Sequence, residues 1–278
     1  MRRSREAQDM IDDALIGEWG HSILLSHGAK TEKVFILLHG LTASPPQFAE
    51  FGRRLHERGS NVVIPRLPRH GYADRMTEIL SELDRDELVD FARTAVDSAR
   101  ELGKRVVVTG FSIGGLLAAW VAQHVEVDRV VAIAPFLGLS WVPERLAPLA
   151  AALTLRLPNR FFWWHPFLRE RLLPAHGYPR YPTHAIARAY RMAHELFDDA
   201  QTTRPETPSI ALVINDSEFS VSNRSIVRLA KVWSRYEGVD VTTHHLHGLP
   251  PSHDIIEPLR EPKIVARIYP ELVDLVDR

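Results

Sequence analysis

Residues 106–115 read VVVTGFSIGG, and this stretch decides the fold. The β-branched run at 106–109 predicts a buried strand, and apolar helical spacing begins near Leu116. Between them lies Gly-x-Ser-x-Gly, whose glycines let a strand and a helix approach each other at a sharp turn. The turn exposes the Ser112 hydroxyl at a helix N-terminus, where the helix dipole favours developing negative charge. Ser112 is therefore the candidate nucleophile, and the alternative is a small serine that only serves the turn.

Short apolar runs alternate with segments of helical spacing along most of the chain. The other runs lie at residues 34–38, 61–64, 130–134, 210–214 and 241–246. The segments of helical spacing lie at residues 88–99, 116–125 and 226–236. Because parallel strands need crossover connections, this alternation predicts an α/β fold with a mostly parallel central sheet and helices on both faces.

The alternation stops after residue 134. Residues 135–208 contain 10 of the 19 prolines and half of the six tryptophans. Because proline donates no backbone hydrogen bond, this segment is not expected to be a run of sheet strands, although residues 183–196 can be helical. We predict a core of residues 1–135 and 205–278 with an inserted cap at residues 136–204. The alternative is a long surface excursion, which the aromatic content disfavours.

Composition excludes several classes of function. The 34 Lys and Arg residues balance 35 Asp and Glu residues, so no positive charge is left over to hold nucleic acid or an anionic membrane. The absence of cysteine excludes disulfides, zinc–thiolate sites and thiol nucleophiles. The longest apolar stretch, residues 146–157, contains Pro148 and Arg156 and is too short to span a bilayer. Acidic residues rather than an apolar run follow the N-terminal arginines, so we expect a cytoplasmic protein without stable membrane anchoring.

Two loops carry a family resemblance. Residues 39–42 read HGLT after the first long strand, and residues 65–71 read PRLPRHG. These motifs resemble the α/β-hydrolase superfamily, in particular bacterial carboxylesterases and monoacylglycerol-lipase-like enzymes, whose loop reads Pro-x-Leu-Pro-Gly-His-Gly. Arg69 stands at the usual glycine, so the local turn is expected to differ. Outside the cap, the resemblance covers nearly the whole chain. It implies the α/β-hydrolase fold and an oxyanion hole made by the backbone N–H groups of Leu41 and Ile113.

Of the 14 histidines, His253 is the candidate general base. It lies in residues 252–258, SHDIIEP, after the last predicted strand, and the superfamily order is nucleophile, acid, histidine. The alternatives are His244, His245 and His247, and His39 is expected to pack rather than to act as a base. His245 and His247 would share a strand face. Without a nearby carboxylate such a pair is more typical of a solvated face than of a metal site, so we predict no metal and no cofactor.

The acid is sought after the strand at 210–214, where residues 215–221 read NDSEFSV. Related enzymes commonly have Gly-x-x-Asp-x-x-Val at this strand end, and that pattern places Glu218 at the acid. Glutamate can serve, because the role is to orient the imidazole and to stabilise its cation. Asp216 is the alternative acid if the strand ends one turn earlier.

These residues predict a serine hydrolase that cleaves carboxylic esters, with short- to medium-chain acyl groups or monoacylglycerol-like substrates, through an acyl-enzyme. The expected partner is a small-molecule ester. The alternatives are a thioesterase, amidase, lactonase or acyltransferase on the same scaffold, and a non-catalytic ligand-binding homologue. Aromatic residues are expected either to line the substrate pocket or simply to hold the cap on the core. They are Phe136, Phe161, Phe162, Trp163 and Trp164.

Overall fold

The structure, a computed structural model, describes residues 15–164 and 176–278. Within these ranges the strands are β1 (Ile23–Leu25), β2 (Thr31–Leu38), β3 (Asn61–Ile64), β4 (Gly103–Phe111), β5 (Arg129–Ile133), β6 (Phe161–Trp163), β7 (Arg180–Pro182), β8 (Ser209–Asn215) and β9 (Asp240–Leu246). The α-helices are α1 (Ala49–Glu57), α2 (Arg85–Ala99), α3 (Ile113–His124), α4 (Ala147–Thr154), α5 (Thr183–Thr202), α6 (Asn223–Trp233) and α7 (Pro262–Val276).

Seven strands form one sheet in the order β1-β3-β2-β4-β5-β8-β9. Strand β1 is antiparallel to β3, and every other neighbouring pair is parallel. The predicted mostly parallel sheet is therefore confirmed, and each of the six predicted strands is present. The sequence did not predict β1, which is only three residues long and partly exposed.

Both faces of this sheet are covered by helices. Residues 106–111 of β4 are buried without interruption, which is the pattern of a strand packed on both sides. Helix α2 shows how the sequence builds one such cover. The Asp84 side chain accepts the N–H of Asp86 and caps the helix, and one apolar face is buried. The buried residues of α2 are Leu88, Val89, Ala92, Val96 and Ala99.

The described part of the chain between β5 and β8, residues 134–164 and 176–208, contributes no strand to the central sheet, as predicted. It contains α4, a small antiparallel ribbon of β6 and β7, and the long helix α5. The ribbon is separate from the central sheet, and the sequence did not predict it. Pro182 is tolerated because it closes the last position of a two-stranded ribbon, which needs few hydrogen bonds.

The parallel order fixes where functional side chains can gather. Leu41 follows β2, Ser112 follows β4, Glu218 follows β8 and His253 follows β9. Because parallel strands end at the same edge, these four residues leave the sheet on one side. None of the helices in residues 15–164 and 176–278 is long and apolar enough to cross a lipid bilayer.

Candidate active site

Ser112 lies in a sharp turn that requires glycine at residues 110 and 114. Its backbone has φ 56° and ψ −112°, which is a strained region for a non-glycine residue and costs about 1–3 kcal/mol. A Cβ added to Gly110 would lie 2.0 Å from the carbonyl oxygen of Gly114. A Cβ added to Gly114 would lie 2.1 Å from the carbonyl oxygen of Leu38. The glycines of the motif therefore let β4, α3 and β2 meet at this point.

Ser112, His253 and Glu218 form one hydrogen-bonded chain. His253 Nε2 lies 2.8 Å from Ser112 Oγ. His253 Nδ1 lies 2.7 Å from Glu218 Oε2. The His253 ring also lies over Phe111, with the ring centroids 5.0 Å apart. A carboxylate on Nδ1 favours the tautomer that carries its proton there, which leaves Nε2 free to accept the serine proton.

The Glu218 carboxylate is buried and held at both oxygens. Its side chain is 1% exposed, and Oε1 accepts the backbone N–H of Ser220 at 2.6 Å. Burial by itself raises the pKa of Glu218, but the hydrogen bond and charge of His253, together with backbone hydrogen bonds, outweigh it, so the net pKa lies below the ordinary value. Glu218 is therefore ionised at neutral pH.

Asn215 is a supporting residue that the sequence reasoning missed. The family pattern has glycine at this position, and the side chain of Asn215 is used as a tether instead. Its amide nitrogen lies 3.1 Å from the Ser252 carbonyl oxygen and 3.4 Å from that of Pro250. Asn215 thereby joins the end of β8, which leads to Glu218, to the loop that carries His253. The departure from glycine was the signal available in the sequence.

The loop after β2 is a tight turn. The N–H of Ala43 donates to the carbonyl of Gly40 at 3.1 Å, and Thr42 has φ 65°. Positive φ at the third position only is the geometry of a type II turn, which favours glycine there. The N–H of Gly40 donates to Gln47 Oε1 at 2.8 Å. Gln47 was not predicted, and it fixes the first residue of the turn.

The N–H groups of Leu41 and Ile113 are the two that the family resemblance assigned to an oxyanion hole. Within residues 15–164 and 176–278, neither donates to a backbone or side-chain acceptor. Leu41 also lines the cavity that contains Ser112. Backbone N–H donors without a protein acceptor can stabilise negative charge on a substrate oxygen if it binds within their reach.

The alternative acid and the other strand histidines lie apart from this chain. Asp216 Oδ1 lies 2.7 Å from His245 Nδ1, and Asp216 Oδ2 contacts His247. Asp216 therefore pairs with the His-x-His motif and not with His253. The sequence reasoning assumed that this motif had no nearby carboxylate, which is wrong. Nevertheless, no cluster of three or more metal-binding side chains suited to a metal ion occurs in the part of the chain that is described.

His39 is enclosed beside the turn. It is fully buried, and its Nε2 accepts the N–H of Leu67 at 3.1 Å while Nδ1 lies 3.0 Å from the Gly40 carbonyl oxygen. Burial, followed by the electrostatic interaction with His70, holds the pKa of His39 well below its usual value. Backbone groups occupy both ring nitrogens, so His39 supports the loop.

A cavity of about 710 Å³ opens at Ser112 and His253. Of the predicted aromatic residues, only Trp164 lines it. Phe136 is 5% exposed and packs edge-on against Tyr190, with the ring centroids 5.3 Å apart. Phe161, Phe162 and Trp163 form β6 and lie outside the lining. Residues that the aromatic pattern did not indicate also line it, and they include Thr42, Gln47, Phe219, Asp254, Glu257 and Arg260.

The fold and this arrangement at the carboxyl edge of the sheet define an α/β hydrolase. The chain belongs to the alpha/beta hydrolase family, whose model matches residues 35–266. A search of curated proteins finds no significant match to the sequence.

Solved structures of similar fold include several lipolytic enzymes. One belongs to the metagenome-derived lipolytic enzymes LipS and LipT (TM-score 0.66, 15% identity, covering 93% of this chain and 99% of that one). Another is a monoacylglycerol lipase from Paleococcus ferrophilus (TM-score 0.68, 16% identity, 92% and 97% covered). A third is a soluble variant of monoglyceride lipase from Saccharomyces cerevisiae (TM-score 0.64, 13% identity, 92% and 90% covered). At these identities, the similarity establishes the fold.

Proposed function

We propose that this protein is a serine hydrolase that cleaves small carboxylic esters, with Ser112 as nucleophile, His253 as general base and Glu218 as the acid that orients His253. The observation that carries the proposal is the chain of two short hydrogen bonds, 2.8 Å from Ser112 Oγ to His253 Nε2 and 2.7 Å from His253 Nδ1 to Glu218 Oε2, at the wall of a cavity. Nucleophile, base and orienting acid are the three roles that acyl transfer requires.

The reaction proceeds in two halves. His253 Nε2 takes the proton of Ser112 while Oγ bonds to the ester carbonyl carbon, and the carbonyl oxygen becomes an oxyanion. The carbon–oxygen bond to the alcohol then breaks, and the alcohol leaves with the proton from His253. Water attacks the acyl-enzyme by the same route, which releases the carboxylic acid and restores Ser112. The negative charge of Glu218 stabilises the imidazolium in both halves.

The oxyanion receives hydrogen bonds from the N–H groups of Leu41 and Ile113. Both groups are free of other acceptors in the described parts of the chain, so no existing bond has to break. Removing one such donor typically costs about 3–4 kcal/mol of transition-state stabilisation. The position of Ile113 at the first turn of α3 adds the favourable end of the helix dipole.

We further propose that residues 136–204 act as a cap and that the substrates are short- to medium-chain or monoacylglycerol-like esters. Trp164, Phe219 and Leu41 give the cavity apolar wall, whereas Asp254, Arg260 and Glu257 give it polar wall. An ester with one apolar part and one hydroxyl-bearing part matches such a mixed lining. The lipolytic names of the structural neighbours agree with this substrate class.

Labelling and hydrolysis by paired serine variants test the proposal. We expect the wild type to react with a fluorophosphonate probe and to hydrolyse p-nitrophenyl acetate, and Ser112→Ala to lose about 10⁴-fold or more in kcat/KM. Ser81→Ala, in the short helical turn Ile79–Glu82, is the matched control and should behave as wild type. Hydrolysis by Ser112→Ala at the wild-type rate, or a wild type inert to the probe, would refute the proposal.

A substrate panel then separates the activities that share this machinery. p-Nitrophenyl esters of increasing acyl length, a monoacylglycerol, an acyl thioester, an amide and a lactone are compared by kcat/KM. We expect the highest value on a short- or medium-chain ester or the monoacylglycerol. A higher value for the thioester, the amide or the lactone would replace the ester assignment.

A further inference from the structure

The turn that carries Leu41 is held from outside by the chain between β5 and β8. Trp164 Nε1 donates a hydrogen bond to Thr42 Oγ1 at 2.8 Å. The N–H of Tyr178 donates to the Thr42 carbonyl oxygen at 2.7 Å. Thr42 is only 6% exposed, so an oxygen of Thr42 that loses its donor is poorly placed to find water instead, although Trp164 itself is 39% exposed. A single residue of the turn therefore receives two donors from a distant part of the chain.

Backbone shape shows that this approach is close. Gly177 has φ 151°, and a Cβ added there would lie 2.2 Å from the Thr42 carbonyl oxygen. Arg75 Nε donates to the Gly177 carbonyl at 2.9 Å. Any side chain at residue 177 would push the two backbones apart.

Tyr178 anchors the same contact to the body of the protein. Its side chain is 2% exposed. The phenol oxygen accepts the N–H of Tyr72 at 3.0 Å and donates to the Arg69 carbonyl at 3.2 Å. Because the phenol is fixed at its far end, the Tyr178 N–H presents a rigid donor to Thr42.

The identity of residue 42 also needs an explanation. Its φ of 65° lies in the region that glycine adopts without strain and that β-branched residues avoid. Glycine would relieve the turn but would have no oxygen for the Trp164 indole. A threonine at this position is accounted for by the hydroxyl that Trp164 requires.

We propose that Trp164 and Thr42 are positioning residues that hold the N–H of Leu41 in the direction of the oxyanion, an inference that rests on the proposed function. Leu41 and Thr42 are the two central residues of the turn, and the Leu41 N–H belongs to the peptide between Gly40 and Leu41. Because Gln47 holds the Gly40 end of that peptide, a rotation at Thr42 has to be taken up at Leu41 and tilts the peptide that carries its N–H. The hydrogen bond between Trp164 and Thr42 makes that rotation dependent on the chain between β5 and β8. The oxyanion hole is therefore completed by residues far from β2 in sequence.

A double-mutant cycle tests the bond. Thr42→Val removes the hydroxyl acceptor and keeps the shape of the side chain, and Trp164→Phe removes the N–H donor and keeps an aromatic ring. Thr42→Ser is the conservative variant, because it keeps the hydroxyl and loses only the methyl group. We expect kcat on p-nitrophenyl acetate to fall about tenfold in Thr42→Val and in Trp164→Phe, with KM of Thr42→Val within about twofold of wild type. The double variant should be no worse than either single variant, because one bond is lost in all three.

Two further measurements separate positioning from general structural damage. Trp141→Phe is the matched control, because Trp141 belongs to the same stretch and is 65% exposed, and it should keep wild-type kcat. Inhibition by a phenylboronic acid, which forms a tetrahedral adduct with the serine, should weaken by the same factor as kcat in Thr42→Val and recover in Thr42→Ser.

The outcomes are distinguishable. Wild-type kcat in Thr42→Val and Trp164→Phe, or losses that multiply in the double variant, overturn the inference while leaving the serine hydrolase intact. An equal loss in Thr42→Ser and Thr42→Val also overturns it, because the hydroxyl would then be irrelevant. A wild type that fails to hydrolyse the ester refutes the proposed function first, and the inference with it.

Discussion

Replacing Glu218 by glutamine tests the proposed site, because it changes which nitrogen of His253 carries the proton. The side chain keeps its size, so the outcome depends on which end of the new amide faces His253. The N–H of Ser220 already points at Glu218 Oε1 from 2.6 Å, and it can only be met by the amide oxygen. The amide NH₂ must then face His253 Nδ1, 2.7 Å away in the wild type.

The expected loss follows from this orientation. An NH₂ donor at Nδ1 forces that nitrogen to accept, so the proton of neutral His253 moves to Nε2. Nε2 can then no longer accept the proton of Ser112, from which it lies 2.8 Å away. A serine–histidine pair held in the wrong tautomer loses about 10⁴-fold in kcat, or about 5 kcal/mol of transition-state stabilisation.

The assay is the hydrolysis of p-nitrophenyl acetate by Glu218→Gln and Asp216→Asn under identical conditions. The Asp216 carboxylate pairs with His245 and His247, so kcat of Asp216→Asn should stay within about twofold of the wild-type value. If Glu218→Gln kept near wild-type kcat while Asp216→Asn lost activity, the assignment of the acid would be wrong. If both retained full activity, neither carboxylate would orient the base.

Three further perturbations probe the framework of the site. Burial and then the charge of Asp254 raise the pKa of Glu257 from 4.5 to about 7. Between pH 4.5 and 7 the folded protein therefore binds a proton that the unfolded chain does not, and the free energy of unfolding falls by about 3 kcal/mol as pH rises through this range. Urea unfolding of Glu257→Gln should lack this decline, and an unchanged decline would contradict the assignment. Gly114→Ala should destabilise the fold by about 3 kcal/mol, because its Cβ would lie 2.1 Å from the Leu38 carbonyl oxygen; a wild-type unfolding midpoint would disprove the close approach. Asn215→Ala should lower kcat about tenfold by loosening the loop before α7, measured on the same ester, whereas an unchanged kcat would show that the tether is dispensable.

The sheet could be predicted from the sequence because its strands are buried on both faces. Runs such as 106–109 and 210–214 are continuous and β-branched, so their signal does not depend on neighbours. Strand β1 could not be found this way, since Ile23–Leu25 is short, partly exposed and defined only by pairing with β3. The β6–β7 ribbon was missed for the same reason.

The site residues also differ in how far the sequence alone predicts them. Local motifs identified Ser112 and placed Glu218 and His253 as candidates, and the structure brings those three side chains together. The family pattern after β8 favoured Glu218 but left Asp216 open, because which carboxylate faces His253 depends on the path of that loop. Trp164 and Phe136 look equivalent in the sequence, yet one lines the cavity and the other is buried against Tyr190. Aromatic content alone could not separate those environments.

Two residues at this site, Ser112 and Thr42, have positive φ angles, which favour glycine when only the stability of the fold matters. A glycine at residue 112 would relax the backbone and remove the hydroxyl, so Ser112→Gly should unfold at a higher temperature than the wild type while losing the proposed activity. Selection for thermal stability alone would therefore favour loss of the proposed nucleophile. Substitutions meant to stabilise this protein should therefore be made at other positions.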